Sequence, residues 1–340
     1  MPYLMDDLVS AAAVVSAGQA VKREPVLSGF VDMAEKMKGT PRFLLDEAAI
    51  HTSVELSLGR PKLIYEAMQH LQVPYERMWI EWPERGREKL RQTFGTNEWR
   101  DDPARPLPER IAMLIEAEPG GRRGQVTWFW TGADLGEDIE RFPNIAPICP
   151  FFDLDAQIPQ PADRITGFLK GNLAKIWHDH PVQMEALFSI WRTADHRPSP
   201  WGNIYMRSIV LRHGEKTLRE QLPYMFSDVY GEYIEIWCVL LMLTASKTVV
   251  DYRDVSRAKI NKHRAKAQKP PLLDHTEVTL HINPRTVAGR PGQPLGYKRK
   301  SPRVHMVSSF LNRRGSKHWI VQPFWRGEGE VIHRQVRVKG

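Results

Sequence analysis

Cysteine is almost absent from this chain. Only Cys149 and Cys238 occur in 340 residues, too few for a disulfide framework or a cysteine zinc site. Cys238 lies in the apolar run Ile234–Leu243 and reads as a small buried hydrophobe. This usage fits a reducing, cytoplasmic compartment. Long hydrophobic runs are missing too. The longest, Ile236–Ala245, falls far short of the roughly 20 residues that cross a bilayer, so no membrane partner is expected. Asp6 and Asp7 precede Leu8–Val15, where a secretory leader would start with basic residues. Walker-type, dinucleotide-binding and nucleophile-elbow patterns are absent, and no cofactor is expected.

Metal chemistry finds little support. His178-Asp179-His180 and Asp153-Leu154-Asp155 supply the right residue types. Two histidines at i,i+2 diverge on a helix, however, whereas metal-binding helices use i,i+4. No metal is expected. Gly120-Gly121-Arg122-Arg123-Gly124 reads as a hairpin turn carrying two cations, too short to cradle a phosphate.

Acid is what the last quarter lacks. Residues 251–340 hold 20 Lys+Arg against 6 Asp+Glu, while residues 1–250 hold 28 against 34. The overall charge of +8 is thus a slightly acidic body joined to a strongly basic tail. Such a field attracts polyanions, of which nucleic acid is the commonest.

The expected fold is α+β: a helical body with a small antiparallel sheet, plus a small C-terminal antiparallel β module preceded by a basic helix. Residues 1–28 are read as a loose arm or one short helix, residues 29–250 as the body, residues 251–340 as the basic helix and β module. From Pro41 the pattern is helical, through Leu44, Leu45, Ala48 and Ala49 to a stop at Gly59, with a second helix from Pro61 to His70. Residues 77–82, 110–116 and 124–130 are aromatic, β-rich runs that read as strands; the last two form a hairpin and the first pairs beside them. Residues 149–154 add a further strand. Residues 163–246 are mainly helical, broken by a loop at Arg197-Pro198-Ser199-Pro200, with Tyr224–Ala245 as the central buried helix. In the tail, a helix over 253–269 ends at Pro270-Pro271. A strand at 276–282 and a cationic loop to Lys300 come next, then three strands at 303–310, 318–324 and 331–338.

Three kinds of candidate chemistry lie in this tail. Arg257, Lys259, Lys262, Arg264 and Lys266 can neutralise phosphates without reading sequence. Lys298, Arg299, Lys300, Arg303, Arg313, Arg314, Lys317 and Arg326 extend that footprint. Trp325, beside Arg326 at a turn, is the candidate for base stacking, whereas Trp319 and Phe324 read as core. His305, His318 and His333 with Arg303 and Arg314 have the residue types of a metal-free RNA-cleaving site, with histidine as general base on a 2′-hydroxyl.

Three stretches carry a resemblance. They are Val73-Pro74-Tyr75-Glu76-Arg77-Met78-Trp79-Ile80-Glu81-Trp82; the basic run 257–266 with its exit Pro270-Pro271-Leu272-Leu273-Asp274-His275; and Ser301-Pro302-Arg303-Val304-His305 with Trp319-Ile320-Val321 and Gly329-Glu330-Val331. Together they resemble a family of uncharacterised proteins encoded by bacteriophages and prophages. In that family the histidine matching His305 is followed by an Arg-Arg-Gly-His cluster. Here the text reads Met306-Val307-Ser308-Ser309-Phe310, so the second histidine is missing. The resemblance implies the cytoplasm of a bacterial host. The leading expectation is a phage- or prophage-derived, non-enzymatic nucleic-acid-binding protein using its basic C-terminal module. The alternatives are a metal-independent RNA-cleaving enzyme using tail histidines and arginines, and a phage inhibitor that docks on an acidic host protein.

Overall fold

The structure, a computed structural model, describes residues 3–17, 28–84, 109–131, 143–158, 181–199, 202–244 and 250–280, with the backbone of 305–307, 310–314, 317–321 and 324–326. Its centre is a nine-stranded sheet. The strands are β1 (Arg42–Leu45), β2 (Arg77–Pro83), β3 (Arg110–Ala117), β4 (Arg123–Trp130), β5 (Asn144–Ile145), β6 (Ile148–Asp153), β7 (Ala194–Pro198), β8 (Val250–Val255) and β9 (His275–Leu280). They lie in the order β7-β6-β4-β3-β2-β1-β9-β8, and β5 also pairs with β4. β1 runs parallel to β2 and to β9, and the remaining pairs are antiparallel.

Strand alternation sorts the apolar residues onto two faces. Met78, Ile80 and Trp82 of β2, Ile111, Met113 and Ile115 of β3, and Val126 and Trp128 of β4 share one core. Trp79 of β2, Ala112 and Leu114 of β3, and Phe129 of β4 belong to the other. Helices α1 (Leu4–Ser16) and α2 (Ser28–Met37) cover this second face through Leu4, Leu8, Phe30 and Met33. On the first face lie α3 (Glu47–Gly59), α4 (Pro61–Met68), α5 (Pro181–Trp191) and the long α7 (Glu215–Leu243), which follows α6 (Gly202–His213). The result is three layers, α1 and α2 above a mixed sheet and the other helices below.

The broad α+β class holds, with corrections. The sheet is large and mixed, not small and antiparallel. Residues 42–45, read as helix, form β1, because Phe43 and Leu45 enter one core and Leu44 the other. Asp46 then starts α3 by accepting a hydrogen bond from the Ala49 N–H at 2.7 Å. Of residues 1–28, read as a loose arm or one short helix, 4–16 form a helix, docked rather than loose, whose Leu4, Met5 and Leu8 are fully buried. Residues 194–198, partly read as loop, are the edge strand β7. The sheet also crosses the boundary expected at residue 250, since β8 and β9 are its last two strands. The hairpin of β3 with β4, β2 beside it, and β6 stand where the β-rich runs and their turn residues put them.

Candidate nucleic-acid interface

Between β8 and β9 the chain rises off the sheet edge into α8 (Ala258–Lys266), a helix with no buried residue. Alanine, lysine and arginine are strong helix formers. His263, Arg264 and Lys266 in its last turn complement the negative end of the helix dipole. At its start the Asp274 carboxylate accepts from the Arg257 N–H. At its end the Gln268 N–H donates to the Ala265 carbonyl at 3.1 Å and the Lys269 N–H to the Arg264 carbonyl at 3.0 Å. These two bonds make a Schellman cap, and Gln268 takes the left-handed conformation it requires, with φ of 51°.

One side of α8 is tied down by polar groups alone. The Asn261 amide donates to the Leu272 carbonyl and accepts from the Leu272 N–H, both at 2.8 Å. Arg264 Nε donates to the Pro270 carbonyl at 2.7 Å. The opposite side carries Lys259, Lys262, His263 and Lys266, all exposed. Their spacing of three, four and seven residues puts them in one stripe. Among the described residues, no ion pair engages Lys259, Lys262 or Lys266.

Beneath α8 lies a network that fixes its base to the N-terminal helix. The Tyr3 ring sits under two guanidinium groups, Arg110 at 4.9 Å and Arg257 at 5.6 Å, and meets the His275 ring edge-on at 5.0 Å. The Asp6 carboxylate accepts from the Leu273 N–H at 2.9 Å. Glu81, on β2 and fully buried, accepts from the Leu4 N–H at 2.9 Å, the Met5 N–H at 3.2 Å and Trp79 Nε1 at 3.1 Å, and pairs with Arg110. A carboxylate at the positive end of α1 is favourable on dipole grounds. Arg42 donates to the Met37 carbonyl at 2.7 Å and to the Asp274 carbonyl. Burial pushes the Asp6 carboxyl above its ordinary range, partly opposed by the Leu273 hydrogen bond. Burial likewise pushes the His275 imidazole below its usual value, which favours the neutral ring.

The structure splits the set of cations derived from sequence. Lys259, Lys262 and Lys266 face solvent, whereas Arg257 and Arg264 are turned to the protein, on Tyr3 and on the Pro270 carbonyl. Lys298, Arg299, Lys300, Arg303 and His333 lie outside the described residues. The backbone of the tail pairs β10 (His305–Val307) with β13 (Phe324–Arg326) and β11 (Phe310–Arg314) with β12 (Lys317–Val321). Both pairs are antiparallel and keep one register, with Val307 opposite Phe324 and Phe310 opposite Val321. His305 lies opposite Arg326, whereas His318 lies opposite Arg313 beside the other end, so pairing does not bring the two histidines together. Trp325 is opposite Met306 and Arg314 opposite Lys317.

The remaining sequence candidates have structural partners or are not described. Arg122 pairs with Asp155 and donates to the Leu71 and Leu154 carbonyls, and Arg123 pairs with Asp153 at 3.0 Å. Both arginines that line the shallow depression of about 330 Å³ beside this turn are therefore paired with acids. His178, Asp179 and His180 fall outside the described residues. Tyr3, Asp6, Arg42, Arg110 and His275 were invisible to sequence patterns. Glu81 did leave a signal: an acid at the centre of Met78–Trp82, an otherwise apolar strand. Comparison with known protein families, characterised proteins and solved structures returns no match to this chain.

Proposed function

We propose that this chain is a non-enzymatic nucleic-acid-binding protein of bacteriophage or prophage type, acting in the cytoplasm of a bacterial host, with α8 as its described contact surface. One observation carries the reading. Three lysines and a histidine occupy the outer side of a helix that has no buried residue and whose inner side is pinned to the fold. A helix without buried residues gains nothing from the hydrophobic effect, so holding it in place serves its outer face. Lysine is a strongly hydrated point charge suited to phosphate contact without sequence readout. The basic tail beyond residue 280 adds to the same field.

The test compares wild type with the Lys259→Gln/Lys262→Gln/Lys266→Gln variant by fluorescence anisotropy on labelled duplex DNA, single-stranded DNA and RNA. Wild type binds at least one of them with steep salt dependence, and the variant binds it at least about tenfold more weakly at low salt. No binding to any of the three sinks the proposal. Binding to polyglutamate alone does so as well, and points to an acidic protein partner.

A further inference from the structure

The shape of the α8 stripe narrows the class of nucleic acid. Lys259 and Lys266 are seven residues apart, about 10.5 Å along the axis at ~1.5 Å per residue. One strand of B-form DNA presents a phosphate about every 3.4 Å only in projection on the duplex axis; along the sloping strand the phosphates stand farther apart, and three lysines on flexible stems reach about three of them. The helix that carries these lysines is held in place. Asn261, Arg264, the Schellman cap at Gln268 and the Asp274 bond to Arg257 lock both ends of the helix to the loop 270–274. Asp6 and Tyr3 lock that loop and Arg257 to the body of the protein. An anchored helix presents its lysines to the ordered phosphates of a duplex without reorganising either backbone. A flexible single strand would first have to be straightened, which costs conformational entropy.

The chemistry of the stripe points the same way. Single-strand binders combine a cationic track with aromatic faces on which bases stack. The outer side of α8 carries lysine, lysine, histidine and lysine, with no Trp, Tyr or Phe. Ile260, 43 % exposed, flanks it and has no ring. Tyr252, the exposed aromatic of neighbouring β8, has its hydroxyl bonded to the Leu243 carbonyl. The stripe therefore neutralises phosphates and offers one small imidazole to a base.

We infer that α8 lies along the sugar–phosphate backbone of double-stranded DNA, contacting about three phosphates of one strand without reading its sequence. This rests on the nucleic-acid reading above. The experiment measures salt dependence for the full chain on a 20-base-pair duplex, on its scrambled counterpart and on the matching single strand. The lysine triple variant and a control, Lys38→Gln/Lys216→Gln, accompany wild type. Each control lysine faces an acid close by in sequence, Lys38 with Glu35 at 2.6 Å and Lys216 with Glu220 at 3.9 Å. Thermal midpoints confirm that the variants are folded.

On both duplexes the triple variant is expected to lose affinity at least about tenfold and to flatten the log–log salt slope by about 2.7, at ~0.9 per lost contact. The control stays within twofold on every ligand. On the single strand the triple variant changes less than about twofold. Equal losses and slope changes on duplex and single strand overturn the duplex assignment and leave nucleic-acid binding standing. A loss confined to one duplex sequence overturns the sequence-independent contact. Absence of binding to all three DNA ligands overturns the duplex assignment, and the parent reading fails with it only when RNA is left unbound as well.

Discussion

Removing the Glu81 carboxylate should unlatch the N-terminal helix. Glu81 is fully buried and takes four donors: the Leu4 and Met5 N–H groups, Trp79 Nε1 and the Arg110 guanidinium. Glu81→Ala leaves Arg110, whose side chain is only 15 % exposed, without its acid. Breaking a buried pair in this one-sided way costs roughly 3–5 kcal/mol. Each α1 N–H left unsatisfied adds about 1–3 kcal/mol, though water entering the vacated space recovers part of that. We therefore expect a loss of about 4 kcal/mol, large against the roughly 5–15 kcal/mol that holds a domain together. Urea unfolding gives the total, and amide exchange gives the location. Protection should fall first at Leu4–Asp7, then at Leu273, because Asp6 binds that N–H. Glu81→Leu with Arg110→Met should regain part of the loss, since an apolar pair of similar size removes both buried charges together. A folded Glu81→Ala protein that loses under about 1 kcal/mol and keeps α1 protected would refute the latch.

Three further outcomes follow from the same geometry. Asp6 has a folded-state pKa above its unfolded one because burial penalises the anion, so its contribution is greatest at acid pH and is lost as pH rises through that folded pKa. Asp6→Asn keeps an acceptor for the Leu273 N–H, so urea midpoints of the Asn variant should gain on wild type between acid and neutral pH; a difference independent of pH would contradict this. Gln268→Gly should stabilise the protein by roughly 0.5–1 kcal/mol, because glycine takes the left-handed cap without a Cβ penalty; a lower thermal midpoint would argue against the cap. Gly121→Ala should destabilise by roughly 2–4 kcal/mol, combining a left-handed alanine with overpacking. Gly121 has φ of +68°, and a Cβ there would stand 2.3 Å from the Val73 carbonyl oxygen, so an unchanged denaturation curve would mean the turn is built otherwise.

Much of the sheet was legible because its longer strands are runs rich in aromatic and β-branched residues that end at turn signals. Residues 110–116 and 124–130 sit on either side of a Gly-Gly turn, and the pattern places their hairpin and the strand beside it. β1 was not legible. A four-residue strand buried on both faces shows a continuous apolar run, and Phe43, Leu44 and Leu45 run into Ala48 and Ala49 at helical spacing. The docking of α1 was not legible for an electrostatic reason. Asp6 looks like a solvent residue, yet its carboxylate meets a backbone N–H 267 residues away in sequence. No local pattern carries such a contact. The boundary at residue 250 failed to mark the end of the sheet because charge tracks solvent exposure, not chain connectivity. β8 belongs to the sheet and is still almost wholly exposed, as an edge strand is.

That last point also explains why the basic segment divides by residue type. Between Val250 and Leu280 the arginines are engaged with the fold: Arg253 with Glu277 at 2.9 Å, Arg257 over Tyr3, and Arg264 with the Pro270 carbonyl. The guanidinium fork suits carboxylates, carbonyls and ring faces, and it sheds water at little cost. Lys259, Lys262 and Lys266 stay in solvent, where a hydrated ammonium is at home. A count of positive charges merges the two roles. A charge-reversal set that included Arg257 and Arg264 would therefore disturb the base of α8 and its interface together, and a lost salt slope could not be assigned to either. Lysine-only variants separate them. Arg264→Gln alone should loosen α8, raising amide exchange at Ala265 and Gln268, while taking no more than about one contact from the salt slope. Lys262→Gln should remove a similar increment of slope with exchange unchanged. If the two variants shift slope and exchange in the same proportion, the division between holding arginines and contacting lysines is wrong.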